Sequence, residues 1–272
     1  MLNDVISIIS LDFIQRALFG GIFISLCCAL LGVILVLKRF SMIGDGLSHV
    51  AFGALAIATA FGFAPVYFTI PVVISAAFLL LRLKDSDKIN GESAIALISI
   101  SSLAIGVMFI SYKSGANTDV YNYMFGSILA LTEQDIIMII LLSVLVFIMY
   151  IITYNKIFAV TFDEKFAKST GINTNFYNMI IASLSAIVIV IGMKMMGAML
   201  ISALIIFPAL TSMRICKTFK SVVIASVVIS IVCFCIGMLF SIIYNTPSGA
   251  SIVVINIVMF VILGISGKIL HK

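Results

Sequence analysis

Long apolar segments joined by short polar connections make up nearly the whole sequence. A helix that crosses a membrane needs about 20 mostly apolar residues. Nine segments meet this requirement, approximately at residues 13–37, 42–62, 64–81, 94–112, 136–154, 176–193, 195–213, 221–243 and 249–267. The pattern therefore predicts an all-α polytopic membrane protein with about nine transmembrane helices, forming a single domain over residues 1–272.

Two of the predicted boundaries between segments are marked by few residues. Gly62 and Pro65 mark the one between the second and third segments, and Lys194 marks the one between the sixth and seventh. An eight-span topology, with one of these pairs of segments merged, stays open. The composition supports a membrane protein in either case. Apolar residues make up 63% of the chain and charged residues only 10%, whereas soluble domains have about 25% charged residues.

The positions of Lys and Arg favour nine spans and give the orientation. If the N-terminus lies outside, 13 of the 16 basic residues fall on the inner side, and only Arg16, Lys113 and Lys194 fall on the outer side. Cytoplasmic loops carry such an excess of basic residues. Merging one pair of spans would reverse the membrane orientation of half of the chain and remove this bias. The sequence thus predicts an external N-terminus and a cytoplasmic C-terminus.

Two connections are long enough to have structure of their own. The outer one, residues 113–135, contains an apolar stretch that is too short to span the membrane. It is either a re-entrant or interfacial helix, or a surface loop that packs on the helix ends. The inner one, residues 155–177, predicts a short helix capped by Thr161 or Asp163 and ended by Gly171. This helix is either a docking element for a soluble partner or a solvated turn.

Asp45 and His49 are the main candidates for chemistry in the apolar segments. They lie four residues apart, so a helix places their side chains on one face. Carboxylate and imidazole groups both bind divalent transition metals. An ionisable residue at membrane depth is costly and usually faces a polar pathway. The alternative is that the two side chains bond each other or neighbouring backbone groups, and the spacing alone does not decide.

Several kinds of active site are missing from the sequence. It has no phosphate-binding Gly-rich loop followed by Lys and Ser or Thr, so ATP hydrolysis would require a separate subunit. It has no H-E-x-x-H motif, and its only histidines are His49 and His271. The five cysteines lie within or at the ends of apolar segments, where they are interpreted as small core residues. We expect neither enzymatic activity nor a permanently bound cofactor.

Three stretches together resemble a known family. The first runs from Leu37 to Gly53 and reads Leu-Lys-Arg-Phe-Ser-Met-Ile-Gly-Asp-Gly-Leu-Ser-His-Val-Ala-Phe-Gly. The second is the inner segment from Asp163 to Gly171, and the third is the proline-containing helix from Gly197 to Ala209. In this order and spacing they resemble the permease subunits of ABC importers that take up zinc, manganese or iron. The resemblance covers nearly the whole chain.

This resemblance implies the ABC importer permease fold, as a homodimer in a prokaryotic plasma membrane with its pathway on the two-fold axis. It implies a cytoplasmic ATP-binding subunit, an extracellular metal-binding lipoprotein or periplasmic binding protein, contact with membrane lipid, and no nucleic acid. Zinc is the first expectation for the transported metal and manganese the second. Asp45 and His49 would line the pathway. Residues 155–177 would form the ATPase-docking loop, with docking residues Phe162, Asp163, Glu164, Phe166, Ala167 and Gly171.

Two other functions stay open at the level of sequence. A secondary metal or cation transporter would use Asp45 as a proton-linked carboxylate and would need no ATPase. A membrane-embedded structural or assembly subunit would use Asp45 and His49 only to bridge helices.

Overall fold

The computed structural model describes residues 11–84, 91–112 and 132–270, without the side chains of residue 84 and residues 266–270. Ten helices and no strand make up the described residues. The helices are α1 (Asp12–Leu37), α2 (Ser41–Phe61), α3 (Pro65–Lys84), α4 (Gly91–Tyr112), α5 (Glu133–Phe162), α6 (Glu164–Ser169), α7 (Thr174–Met196), α8 (Ala198–Ile215), α9 (Phe219–Tyr244) and α10 (Ser248–Leu270).

The prediction of an all-α protein with nine membrane helices is confirmed within the described ranges. Every helix except α6 is long and apolar enough to cross a membrane. Residues 113–131 lie outside the described residues, so the two interpretations of the outer connection both stay predictions. The break between the sixth and seventh spans, which are α7 and α8, differs from the sequence prediction. The helix runs through Lys194, and the break falls at Gly197, whose φ is +82°.

Contacts between helix ends show which termini lie together. Lys38, just after α1, contacts Asn178 in the second turn of α7 and Glu164 at the start of α6. Arg16 near the start of α1 pairs with Glu133 at the start of α5. We call the end of the molecule that contains Lys38 the basic end, and the end that contains Arg16 the opposite end.

The most buried helices are α1, α2 and α7. In each of them, 72% of the most apolar 18-residue window is buried, against 28% or less in α3, α4 and α5. These three outer helices nevertheless carry large apolar side chains on their exposed faces. The core of the chain therefore lies around α1, α2 and α7.

Glycines allow α2 and α4 to touch through their backbones. A Cβ added to Gly53 of α2 would lie 2.4 Å from the carbonyl oxygen of Ser102 in α4. A Cβ on Gly106 of α4 would lie 2.7 Å from the Cα of Gly53. Small residues permit this kind of close helix packing in membranes. The contact fixes the position of α2, the helix that carries Asp45 and His49.

The short helix α6 starts where the sequence predicted one of two caps. The side chain of Asp163 accepts a hydrogen bond of 2.9 Å from the backbone N–H of Phe166. Thr161 instead belongs to α5, where its hydroxyl donates to the carbonyl of Ile157. Gly171 follows the helix with a φ of +83°. Asp163 is thus the cap, and Gly171 lies in the turn after the helix, as expected.

Candidate metal pathway site

The site begins with the tight turn between α1 and α2. The backbone N–H groups of Lys38, Arg39 and Phe40 donate back to carbonyls in the last turn of α1. Arg39 takes a left-handed conformation, with φ +59°. The turn thereby starts α2 at Ser41, and Asp45 lies one turn further on. At a rise of 1.5 Å per residue, Asp45 is about 6 Å along the helix from its start.

Asp45 and His49 lie side by side on one face of α2, as predicted. The distance from Oδ2 of Asp45 to Nε2 of His49 is 3.7 Å, which is longer than a normal hydrogen bond. Their side chains are 49% and 28% exposed, respectively. The flanking residues Gly44, Gly46 and Ser48 are buried. The two polar groups therefore face a more open side of α2, while the positions between and beside them are buried.

A third polar group reaches the pair from another helix. Ser202 in α8 donates a hydrogen bond of 3.3 Å to Oδ1 of Asp45, and its hydroxyl lies equally close to the carbonyl of Ala198. The hydroxyl of Ser48 donates to the backbone carbonyl of Asp45, so it does not contact the carboxylate there. Ser202 thus positions one oxygen of Asp45, while the other oxygen faces His49.

This arrangement suits two ligands of one metal ion. Bond lengths of about 2.0–2.1 Å at a tetrahedral ion hold neighbouring ligand atoms about 3.3 Å apart. The observed distance of 3.7 Å between Oδ2 of Asp45 and Nε2 of His49 would need to change by only a few tenths of an ångström. Among the described residues, no group of three or more His, Cys, Asp and Glu side chains could hold a metal. Within the described residues, Asp45 and His49 are thus two side chains of ligand type, fewer than the four that zinc takes in a closed site.

The predicted docking residues do not share one helix, and Gly171 lies in the turn after α6. Asp163, Glu164, Phe166 and Ala167 belong to α6 or its cap. Phe162 is the last residue of α5. The four-residue spacing of Phe162 and Phe166 therefore does not place them on one helix.

The surroundings of these side chains also differ. The ring of Phe162 packs against Phe158 and Phe219, with centroids 4.8 and 5.8 Å away, although 59% of the residue stays exposed. Phe166 is 64% exposed, and Ala167 is fully buried. On α6, Phe166 is the large apolar side chain that is available to a partner, and Ala167 fixes the helix to the chain itself.

Sequence reasoning did not identify Ser202 as part of the site. It lies 157 residues from Asp45, and no spacing rule connects the two positions. Its only signal is that it is a polar residue in the stretch from Gly197 to Ala209, one of the three stretches that carry the family resemblance.

Comparisons with known proteins agree with this architecture. The model of the ABC 3 transport family matches residues 10–266. The chain is 31% identical over 235 residues to the high-affinity zinc uptake system membrane protein ZnuB of Buchnera aphidicola, covering 86% of this chain and 90% of the relative. It is 27% identical over 250 residues to the manganese transport system membrane protein MntC of Listeria innocua, covering 92% and 89%.

A solved structure shares the fold over nearly the entire length. PsaBC from Streptococcus pneumoniae, in complex with a Fab, superimposes with a TM-score of 0.88 and 26% sequence identity. The match covers 97% of this chain and 95% of that chain. The fold is therefore that of an ABC permease. Since the family model spans almost all of the sequence, and since the relatives are membrane components of metal transport systems, the chain belongs to the ABC 3 transport family of metal transporter permeases.

Proposed function

We propose that this chain is the membrane permease of an ATP-driven importer of divalent metal ions, and that two copies enclose the pathway. Asp45 and His49 bind the metal in transit. The observation that carries the proposal is the open, polar side of α2, where a carboxylate and an imidazole lie 3.7 Å apart. A two-fold axis beside this face would bring together two carboxylates and two imidazoles, the four ligands that zinc takes in a closed site.

Zinc is the first choice for the transported ion and manganese the second. Nitrogen and oxygen ligands are acceptable to both ions, and relative affinity alone does not determine selectivity in a cell. One relative is named for zinc uptake and another for manganese transport. The absence of thiolates among the proposed ligands suits a site that must release its ion.

The proposed partners follow from the two ends of the molecule. At the basic end, α6 docks on a separate ATP-binding subunit, with Phe166 as the exposed apolar contact. The excess of Lys and Arg supports a cytoplasmic position for this end, with the N-terminus outside and the C-terminus inside. A metal-binding lipoprotein or periplasmic binding protein delivers the ion at the opposite end, in a prokaryotic plasma membrane.

The test is ATP-dependent uptake of ⁶⁵Zn²⁺ or ⁵⁴Mn²⁺ into proteoliposomes that contain the permease, its ATPase and its binding protein. Asp45→Asn keeps the shape of the side chain but removes the charge, and His49→Ala removes the imidazole. Because loss of even an outer-shell partner reduces metal affinity by about 10–100-fold, we expect each variant to lower uptake at least about tenfold. Glu92→Gln, at an exposed carboxylate at the start of α4, is the matched control and should keep full uptake.

Two outcomes would refute the proposal. If the variants assemble poorly, and if the double variant loses no more than either single variant, the pair only bridges helices. If wild-type uptake needs a proton gradient but no ATP, the chain is a secondary transporter.

A further inference from the structure

A polar cluster at the basic end links α6 and α7 to the turn between α1 and α2. Glu164, the first residue of α6, accepts a hydrogen bond of 2.8 Å from the side-chain amide of Asn178 in α7. Its other carboxylate oxygen lies 3.7 Å from Nζ of Lys38. Lys38 in turn donates to the side-chain oxygen of Asn178. The three side chains thus contact one another and join three separate parts of the chain.

The position of Lys38 connects this cluster to the start of α2. Its side chain is only 6% exposed, whereas that of Glu164 is 50% exposed. Lys38 belongs to the hydrogen-bonded turn from which α2 starts at Ser41, and Asp45 follows one turn later. A shift of Lys38 would therefore move the base of α2 and, with it, the carboxylate of Asp45.

The packing around α6 favours movement of α6 and this cluster together, as one unit. Ala167 is fully buried against the rest of the chain, and Asp163 caps the helix, so α6 is held firmly at its inner face. A cavity of about 540 Å³ borders the cluster and is lined by Glu164 and Asn178 together with Phe40, Phe78 and Arg82. Close-packed interiors resist displacement, whereas this cluster borders open space between itself and α3.

We propose that the ion pair of Glu164 with Lys38, supported by Asn178, transmits the movement of the docked helix α6 to α2 and so couples ATP hydrolysis to the exposure of the Asp45–His49 pair. The proposal rests on the function proposed above. The family resemblance predicts Glu164 as a docking residue, but its carboxylate contacts Asn178 and Lys38. Glu164 and Lys38 are therefore assigned as positioning residues, since neither contacts the metal ligands. In this proposal, the ion pair sets the position of the base of α2.

The experiment measures metal uptake per ATP hydrolysed in the reconstituted importer, for Glu164→Gln, Lys38→Gln and the double variant. Glu164→Gln keeps an oxygen that accepts from Asn178 but removes the charge. We expect it to keep the bound ATPase and its hydrolysis rate while uptake per ATP falls about fivefold, within the range of couplings measured for contacting residues. Lys38→Gln should give a similar loss, and the double variant should lose no more than either single variant. Lys38→Arg keeps the charge and should retain most of the coupling.

Matched controls separate this link from a general loss of charge at the basic end. Glu92→Gln and Lys220→Gln change exposed residues at the starts of α4 and α9, and both should leave uptake per ATP unchanged. Unchanged uptake per ATP in Glu164→Gln would overturn the proposal, as would losses that simply add in the double variant. Release of the ATPase by Glu164→Gln would also overturn it, because Glu164 would then be a docking contact.

Two further results keep the test decisive. If Lys38→Gln fails to insert, the half-exposed Glu164→Gln variant decides alone. Failure of the proposed function would be seen separately, as a wild-type protein that shows no ATP-dependent metal uptake.

Discussion

Replacing Gly53 with Ala tests whether the backbone contact between α2 and α4 holds the site helix in place. The new Cβ would lie 2.4 Å from the carbonyl oxygen of Ser102, so the helices must separate by about 1 Å to restore van der Waals contact. Overpacking of this kind costs about 1–3 kcal/mol. Gly→Ala within a helix also stabilises the protein by about 1 kcal/mol through helix propensity. The net loss of stability is therefore about 0–2 kcal/mol.

Gly44→Ala in the same helix is the matched control. Its Cβ would lie 3.4 Å from Cδ1 of Ile205, an ordinary contact with the end of a flexible side chain, while the propensity gain is the same. The difference between the two variants therefore isolates the overpacking of about 1–3 kcal/mol. At about 2–4 °C per kcal/mol for a chain of this size, Gly53→Ala should melt at least about 2 °C below Gly44→Ala in a thermal scan of purified protein. Equal melting temperatures would refute the proposed role of the contact.

Three further predictions concern orientation, docking and the carboxylate. In a cysteine-free background, a membrane-impermeant thiol reagent applied to intact cells should label Asn245→Cys and not Lys217→Cys, since these exposed residues lie at opposite ends of α9; the reverse pattern would contradict the orientation. Phe166→Asp should release the ATPase in a co-purification assay while the permease stays inserted, and full co-purification would contradict docking through this ring. Ser202→Ala removes a hydrogen bond to a carboxylate worth about 1.5–3 kcal/mol, so it should raise the Kd for zinc of the purified permease about tenfold or more; an unchanged Kd would show that Ser202 does not position Asp45.

Local sequence patterns predicted the elements that depend on neighbouring residues. The apolar segments gave the nine long helices of the described residues, and the spacing of Asp45 and His49 gave a shared helix face. Asp163 was one of two predicted caps because its carboxylate can reach an N–H three residues ahead. These features are determined within one or two helical turns.

Features that depend on contacts between distant helices were not predicted. Polar residues from Asn155 onward suggested that the fifth span ends at residue 154, yet α5 continues to Phe162. Its last turns are supported by rings that pack on Phe219 of α9. Likewise Lys194 suggested a helix end, but its ammonium pairs at 2.5 Å with Asp135 of α5, and the helix passes through. Partners this far apart in sequence leave no periodic signal.

The contact of Ser202 with Asp45 was missed for the same reason. A single serine in an apolar helix is ordinarily satisfied by its own backbone, and Ser202 is indeed also close to the carbonyl of Ala198. Only the packing of α8 beside α2 shows that this hydroxyl reaches the carboxylate.

The most direct test of the pathway site is the amount of zinc bound by the purified permease, measured by equilibrium dialysis without the binding protein. If Asp45 and His49 are ligands, the wild-type protein and Glu92→Gln should bind the ion with equal stoichiometry, near one ion per two chains. Asp45→Asn should bind much less at the same free zinc concentration. Because metal binding requires neutral imidazole, binding by the wild type should also weaken as the solution is acidified. Equal stoichiometry in wild type and Asp45→Asn at every pH would contradict the assignment of Asp45 as a metal ligand.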